Sequence, residues 1–385
     1  MKNLFSKLIV PTINVNIYLG IVFLFFSFSS YSQNSDVWRY FDESTIPQNG
    51  VRQIVPNKYS TVELNVNSIK SLLETAPTEE DFLNNVNSPV IEFPMPDGTF
   101  RKYIFAYSPI MEKGLADLYP DIKTYIGKSI DEPSSTIRMD FTPKGFHAII
   151  FSPTGTVFID PYHNNTIDHY ISYFKNDFIK NETDRVICSV KDGGNFRPKH
   201  DGSRLIGTCG IRHEYRLAVA ATGEYTSFHG GTVALALAAI VTTMNRVNGV
   251  FEIDCGVRMI LIANNNLIIY TNGGTDPYTN GDPDAMISQN QSNTDAVIGS
   301  ANYDIGHVFG TNSGGLAGLG VVCLAGNKAA GVTGSGAPIG DPFDIDYVAH
   351  EIGHQFNANH TQYNNCNRNN PTSIDRVAND IVKSA

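Results

Sequence analysis

Two histidines and a glutamate near the end of the sequence have the types and spacing needed for metal-dependent hydrolysis. His350 and His354 are four residues apart in the segment His-Glu-Ile-Gly-His. On an α-helix this spacing places both imidazoles on one face, about one turn apart, which suits two nitrogen ligands of a tetrahedral zinc ion. Glu351 lies next to the first histidine, where it could accept a proton from a water activated by the metal rather than bind the metal itself.

A third histidine follows at a spacing that could complete the metal site. Asn357 adopts the left-handed backbone conformation more readily than most residues, so it can end the helix and turn the chain back. His360 could then reach the metal as the third ligand and leave the fourth position to water. The sequence therefore predicts a zinc hydrolase site with His350, His354 and His360 as ligands and Glu351 as the catalytic base.

The pattern His-Glu-x-x-His-x-x-Asn-x-x-His resembles the extended zinc signature of the metzincins. The surrounding residues, 348–361, are similar to those of the reprolysin-like (adamalysin-type) zinc metallopeptidases, especially the secreted bacterial type. The resemblance implies an α/β fold with a metzincin-like catalytic domain, in which a mixed twisted sheet carries the active-site helix. It also implies one catalytic Zn²⁺ and protein or peptide substrates. It covers the chain from about residue 36, with the sharpest motifs in residues 300–372.

The sequence departs from the metzincin pattern in two places. Asn357 stands where the family usually has Gly, a mild change because Asn is the next most tolerant residue in the left-handed conformation. Metzincins also carry a Met-turn downstream of the third histidine, whereas no Met follows Met286. We therefore expect this chain to be truncated before the Met-turn, with the C-terminal part of the catalytic domain incomplete.

An acidic residue is the alternative to His360 as the third metal ligand. Some zinc peptidases use a Glu on a later helix, but no Glu follows Glu351. Asp375 or Asp380 could serve in an aspzincin-like site, but neither lies in a recognisable motif. His360 is therefore the favoured ligand.

The N-terminal residues have the features of a secretory signal. Lys2 and Lys7 form a positive region, residues 17–28 an apolar region, and Ser30-Tyr-Ser32 a cleavage site. We predict a signal peptide over residues 1–32 and a secreted, extracellular mature chain.

Charge and hydropathy restrict the partners of the mature chain. The net charge is −10 and Lys and Arg form no cluster, which argues against nucleic acid or an anionic membrane as a partner. The apolar run 233–244 is interrupted by Thr242 and Thr243, so we expect a buried helix there rather than a membrane span. The sequence does not indicate an oligomeric state.

The sequence contains five cysteines, and most of them should pair if the protein is exported. Cys188 lies just upstream of residues 191–203, a stretch rich in Gly, Asp and Lys that is typical of an exposed linker. Two roles stay open for Cys188. It could form a disulfide with Cys209, or act as a cysteine switch whose thiolate blocks the fourth zinc position in a zymogen.

Residues 33–205 are predicted to form a β-rich, propeptide-like domain. The strand-like runs 136–141, 146–151 and 156–160 are separated by Pro- and Gly-containing turns, which predicts an antiparallel meander. A helix is predicted over residues 64–74. By its position the domain resembles the propeptide of the reprolysin-like family, and an independent binding domain is the alternative.

Residues 206–385 are predicted to form the metallopeptidase domain, with alternating strands and helices. The predicted elements are a strand at 215–221, a helix at 231–247, a strand at 251–263, a helix starting at Asp284 and a strand at 304–309. Residues 311–340 contain nine glycines, which argues against a helix or a central strand. Asp341 is expected to cap the helix that carries the histidines, with Pro342 in its first turn. Val348, Ile352 and Phe356 should give this helix an apolar stripe.

Other polar residues give less specific patterns. Asp276, Asn280, Asp282 and Asp284 could hold Ca²⁺, but they lack the Gly and Glu of an EF-hand loop. The remaining histidines, His229 and His307 among them, have no second ligand at metal spacing and are expected to be structural or exposed.

The sequence thus predicts a secreted zinc metalloendopeptidase, made as a zymogen, that hydrolyses peptide bonds with zinc-activated water and a Glu base. The alternative is a non-catalytic zinc-binding or adhesive surface protein derived from such a peptidase. It is kept because the sequence does not show the Met-turn and C-terminal subdomain that form the lower wall of the active-site cleft in the family. Zinc content measured together with casein cleavage would distinguish the two functions.

Overall fold

Two β-sheets with a long helix between them form the framework that positions the histidines. The computed structural model describes residues 37–47, 50–84, 87–164, 166–178, 188–190, 212–312 and 314–360. Both sheets belong to the same compact unit. The mixed α/β fold class predicted from the sequence is confirmed. The predicted leader, 1–32, and the predicted domain boundary at 205 lie outside the described residues.

The N-terminal part of the chain is dominated by a nine-stranded antiparallel sheet. Its strands are β1 (Trp38–Tyr40), β2 (Ser60–Leu64), β3 (Val90–Pro94), β4 (Phe100–Tyr107), β5 (Lys123–Ser129), β6 (Thr136–Thr142), β7 (Gly145–Phe151), β8 (Val157–Pro161) and β9 (His169–Phe174). They lie in the order β1-β2-β9-β8-β7-β6-β5-β4-β3. The predicted meander is confirmed, since each strand from β3 to β9 pairs with the next along the chain.

Short helices and aromatic side chains complete this β-rich domain. The helices are α1 (Val66–Leu73), α2 (Glu79–Leu83) and α3 (Lys113–Leu118), with 3₁₀ turns at Glu43–Thr45 and Lys175–Asp177. Helix α1 falls within the predicted range and buries Ile69 and Leu73. Trp38 packs edge-to-face on Phe146 and Tyr170, which fixes the short first strand on the sheet by aromatic contact and burial.

The C-terminal part contains a five-stranded mixed sheet. Its strands are β10 (His213–Ala221), β11 (Val257–Leu261), β12 (Ile305–Gly310), β13 (Gly314–Ala317) and β14 (Gly331–Gly334), in the order β11-β10-β12-β14-β13. All neighbours are parallel except β13, which runs antiparallel to β14 and forms one edge of the sheet. The helices of this part are α4 (Gly223–Phe228), α5 (Val233–Cys255) and α6 (Pro283–Val297), with 3₁₀ turns at Asn265–Ile268 and Ser300–Asn302.

Helix α5 lies between the two sheets and is buried all the way round. Every residue from Ala236 to Phe251 is buried, and the helix contacts β6 and β7 on one side and β11 on the other. By length and composition α5 could cross a membrane, but 83% of its most apolar window is buried inside the protein. The prediction of a buried core helix is therefore confirmed.

Helix α5 also corrects the prediction of a strand that begins at residue 251. The segment Phe-Glu-Ile-Asp-Cys alternates apolar and polar residues like a strand, but it forms the last turn of the helix. Gly256 ends the helix with a φ of 64°, and β11 begins one residue later. Packing between two sheets outweighs the local strand pattern here.

Two further predictions, one about a helix cap and one about a strand, were wrong. Helix α6 is capped by Asp282 rather than Asp284: the Asp282 carboxylate accepts from the Ala285 amide at 3.0 Å, and Pro283 takes the first helical position. Residues 331–334 form the interior strand β14 despite two glycines. A Cβ at Gly331 would collide with His307 and Gln355, so the glycine is needed for close packing below the histidine helix.

The helix that carries the histidines has three parts. These are α7 (Asp341–Phe343), a π-helical turn (Asp344–Ala349) and α8 (His350–Gln355). Pro342 lies in the first turn as predicted. Asp341 does not cap the helix, because Gly340 takes the cap position and the Asp341 carboxylate instead accepts from Lys175 Nζ at 2.7 Å. The predicted apolar stripe is confirmed: Val348 and Ile352 are fully buried, and Phe356 packs against the same core.

Candidate metal centre

Helix α8 brings His350 and His354 together on one face, as their spacing predicts. Both side chains are buried, and their Nε2 atoms lie 3.1 Å apart. Burial, together with the neighbouring His354 and His360, lowers the pKa of His350 to about 3. The ring is therefore neutral at pH 7, which is the form that ligates a metal ion.

Asn357 ends the helix in the predicted left-handed conformation. Its φ is 74°, and its amide donates to the His354 carbonyl at 2.8 Å. The Ala358 amide donates to the Gly353 carbonyl at 2.9 Å, which completes the turn. The turn brings His360 back to the face of the helix, with its ring centroid 4.6 Å from that of His354.

Contacts with the backbone select the atom that His354 presents to the site. Its Nδ1 donates to the Ala358 carbonyl oxygen at 2.6 Å. Because a carbonyl can only accept, Nδ1 carries the proton and Nε2 keeps its lone pair. A hydrogen bond of this kind from the outer nitrogen is the usual support for a metal-binding histidine.

Cys188 lies beside the three histidines. Its Sγ is 3.6 Å from His354 Nε2, and the ligand atoms of Cys188, His350, His354 and His360 all lie within 4.8 Å of one another. Residues 188–190 extend the five-stranded sheet at its β13 edge. Cys188 forms a parallel bridge with Gly315, and the Ser189 amide donates to the Gly315 carbonyl at 2.9 Å.

The disulfide with Cys209 and the cysteine switch both stay predictions for Cys188. Among the described residues, Cys255 and Cys323 are free thiols, so the expectation that most cysteines pair is not met for these two. Cys209 and Cys366 lie outside the described residues. The position of Cys188 Sγ beside His354 is the one that the cysteine-switch alternative requires.

The donor set and its spacing fit a tetrahedral zinc ion. Typical Zn–N and Zn–S bonds place two nitrogens about 3.3 Å apart, and a nitrogen and a sulfur about 3.6 Å apart. The separations found here are 3.1 Å between His350 and His354 and 3.6 Å between Cys188 and His354. Three neutral imidazoles and one thiolate are ligands that zinc prefers.

Glu351 is fully buried beside these four residues. Burial raises the pKa of its carboxyl to about 8, although an interaction with the Cys188 thiol acts in the opposite direction. A Cβ at Gly315 would overlap the Glu351 carboxylate and the Tyr347 ring. The glycine in β13 therefore lets the carboxylate lie directly against the edge strand. The sequence pattern did not indicate this role for Gly315.

A buried polar cluster fixes α8 on the sheet. His307 on β12 bonds through Nδ1 to Gln355 Oε1 and through Nε2 to Thr333 Oγ1, both at 2.8 Å. Gln355 Nε2 donates to the Gly306 carbonyl at 2.8 Å. Burial lowers the pKa of His307 to about 4, against the effect of the Gln355 hydrogen bond. The structural role expected for His307 is confirmed.

Three of the four residues proposed as calcium ligands make loop or cap contacts. Asp276 accepts from the Gly223 and Tyr278 amides, and Asn280 accepts from the Thr311 amide. Asp282 caps α6. Within the described part of the chain, the group that brings three or more potential metal ligands together is the cluster of Cys188 with the three histidines.

Comparison with known proteins finds a family that this part of the chain resembles. Residues 237–361 match the family described as metallo-peptidase family M12B, reprolysin-like. No curated protein matches the chain at a significant level. Among solved structures, metalloproteinase-II from Bacteroides fragilis is 10% identical, with 76% of this chain and 88% of that chain covered and a TM-score of 0.44. A chaperone–substrate complex is 14% identical, with 34% of this chain and 96% of that chain covered and a TM-score of 0.23. Neither likeness is close enough to carry an argument. Residues 237–361 are therefore similar to the reprolysin-like metallopeptidases.

Proposed function

We propose that the chain is the latent precursor of a secreted zinc endopeptidase. The observation that carries this proposal is the convergence of Cys188 with His350, His354 and His360, next to the buried carboxyl of Glu351. The match of residues 237–361 to the reprolysin-like metallopeptidases supports it. The signal-like residues 1–32 are the support for secretion.

His350, His354 and His360 would hold the zinc ion in this proposal. A bound zinc would act as a Lewis acid that lowers the pKa of water and polarises the peptide carbonyl. The Ala358 carbonyl keeps His354 in the tautomer that offers Nε2 to the metal. The buried Gln355–His307 contact holds the helix, and with it the two ligand histidines, at a fixed height above the sheet.

Glu351 would move the proton in the reaction. Its carboxylate accepts a proton from the attacking water and delivers it to the amide nitrogen as the peptide C–N bond breaks. A carboxyl with a pKa near neutrality is suited to both halves of this transfer.

The β13 edge would hold the substrate as an added strand. Residues 188–190 already bond to Gly315 at this edge, directly beside Glu351. An extended peptide could use the same backbone groups once residues 188–190 have left. In the latent chain the Cys188 thiolate would take the fourth zinc position and exclude water from it.

Replacement of the base tests the proposal. Processed Glu351→Gln protein should retain one zinc per chain and lose casein cleavage by at least about 100-fold, because only the proton transfer is removed. Wild-type protein carried through the same processing is the control. Cleavage by the variant at the wild-type rate would refute the mechanism. Bound zinc without cleavage in both proteins would favour the non-catalytic zinc-binding alternative.

A further inference from the structure

We infer that the β-rich domain, residues 37–178, stays bound to residues 212–360 after the chain between them is cut. Activation would then require only the strand 188–190 to leave the site. The mature protein would be a two-chain complex rather than a catalytic domain freed from its propeptide. The inference rests on the proposed function in so far as it treats residues 188–190 as the inhibitory strand.

The two parts of the chain share their apolar cores. Ile110, Met111, Leu115 and Ile122 come from the β-rich domain, but they are buried in the cluster formed by α5 and the catalytic sheet. In the other direction, Val250 and Ile345 from the catalytic part are buried among side chains of the nine-stranded sheet. Separation would expose both sets of side chains to water, together with the face of α5 that contacts β6 and β7.

The β-rich domain also covers the outer edge of the catalytic sheet. Met111 forms a parallel bridge with Leu261 on β11. The Leu261 amide donates to the Ile110 carbonyl and the Glu112 amide to the Leu261 carbonyl, both at 2.8 Å. Glu112 Oε2 accepts from the Ala263 amide at 2.8 Å. Departure of the domain would leave this edge strand unpaired, which is an aggregation hazard.

Buried ion pairs join the two parts beneath the histidine helix. Arg246 on α5 donates to Asp160 of the β-rich domain at 2.5 Å and to Asp344 of the π-helical turn at 2.9 Å. The three side chains are at most 3% exposed. Lys175 Nζ lies 2.7 Å from Asp341 and 3.0 Å from Asp346. Removal of one partner would leave charges buried and unpaired, which is strongly unfavourable.

A second ion-pair network joins the parts at the far end of α5. Arg258 on β11 donates to both carboxylate oxygens of Glu79, at 2.6 and 2.8 Å. Arg258 and Arg138 both bond to Glu252, so a pair from the C-terminal part, Arg258 and Glu252, lies between Glu79 and Arg138 of the β-rich domain.

The Cys188 strand has a much smaller attachment than the domain. Among the described residues, its contacts with the catalytic part include the backbone pairing with Gly315 and the approach of the thiol to His354 and Glu351. Val190 is also buried, but it belongs to neither of the shared apolar clusters, so residues 188–190 can leave without exposing them. The strand and the domain are therefore separable in physical terms.

The association can be tested on the full chain with two engineered cleavage sites. Recognition sequences for one site-specific protease are placed at residues 180–184 and 197–200, on either side of Cys188. After cleavage, native size-exclusion chromatography at micromolar concentration and physiological salt separates complex from fragments. We expect the two large fragments to co-elute in equal amounts, and casein cleavage to appear in that peak. Elution of the fragments at separate volumes would overturn the inference.

The activity readout separates this inference from the proposed function. A stable complex that cleaves no casein would support the association and count against the protease. Cleavage found only in a peak that contains the free C-terminal fragment would support the protease and overturn the inference.

Substitution of an interface lysine adds a second test. In Lys175→Met protein the cut complex should dissociate at a several-fold lower salt or urea concentration than the wild type. Lys113→Met is the matched control, because Lys113 pairs with Asp117 inside α3 and is 87% exposed. Equal dissociation of Lys175→Met and wild type would count against the proposed role of this interface.

Discussion

Asn357 shows how one backbone angle determines the composition of the site. Its φ of 74° reverses the chain after α8, and the reversal places His360 beside His350 and His354. A straight continuation of the helix would carry residue 360 more than one turn beyond the other two histidines. The position of the third ligand, His360, therefore depends on Asn357, which is not itself one of the proposed metal ligands.

Substitutions at Asn357 should follow the cost of the left-handed conformation. Asn357→Ala should lower the free energy of unfolding by about 1 kcal/mol and weaken zinc binding, since a Cβ-bearing residue without a polar side chain is disfavoured there. Asn357→Gly should match or exceed wild-type zinc affinity. Urea unfolding and competition with a fluorescent zinc chelator would measure both quantities. Equal zinc affinity for the Ala and Gly variants would contradict this account.

Residues that act through local geometry were the ones that the sequence could identify. The spacing of His350 and His354 and the turn at Asn357 depend on only a few neighbouring residues, and both were predicted. The fit of Glu351 against Gly315 joins residues far apart in the chain, so no local pattern indicates it. For the same reason the sequence leaves two alternatives open for Cys188, and only the structure shows that its thiol lies beside the histidines.

At the scale of elements, the helix that carries the histidines packs on a sheet whose strand β14 was not predicted from the sequence. The glycine content of residues 331–334 argued against a central strand, yet β14 lies between β12 and β13. Gly331 is needed because His307 and Gln355 occupy the space that a side chain at this position would fill. The end of α5 was missed because its local alternation is typical of a strand, whereas burial between two sheets keeps it helical.

Gly331→Ala tests the close packing of β14 beneath α8. The added methyl would meet the His307 ring and the Gln355 amide, so we expect a loss of about 1–3 kcal/mol in the free energy of unfolding. Gly274→Ala is the control, because the nearest atom to its Cβ would be the Asn272 side chain at 3.3 Å. The measurement is urea unfolding of both variants. A Gly331→Ala protein as stable as the wild type would show that β14 is not packed as described.

At the scale of the whole molecule, the two sheets are joined by buried charges as well as by apolar side chains. Burial alone would raise the pKa of Glu79, but the bonded Arg258 and Arg212 guanidiniums lower it to about 2. Burial and the nearby Lys144 lower the pKa of His229 to about 3. At neutral pH, Glu79 is therefore ionised and His229 is neutral, which are the states that these contacts between the two sheets require. Such long-range pairings were not predictable, because their members are separated by about a hundred residues or more.

Buried histidines should make the protein less stable below neutral pH. The folded-state pKa values of His229 and His307, about 3 and about 4, lie below the unfolded value of about 6.5. Between pH 6.5 and 4 the unfolded chain binds more protons, so stability falls as the pH decreases. Each histidine should contribute a slope of up to about 1.4 kcal/mol per pH unit. The raised pKa of Glu351 has the opposite effect over this range, so urea unfolding of metal-free Glu351→Gln protein at pH 7, 6 and 5 would measure the slope. Equal stability of this variant at pH 7 and 5 would contradict the assignment.

The most direct test of the central claim is X-ray absorption at the zinc edge of the purified, unprocessed chain. The account predicts one zinc per chain, with three nitrogen neighbours at about 2.0–2.1 Å and one sulfur at about 2.3 Å. In the Cys188→Ser variant the sulfur should disappear and a light atom should replace it, with the three nitrogens unchanged. Absence of bound zinc, or a wild-type zinc shell without sulfur, would contradict the account.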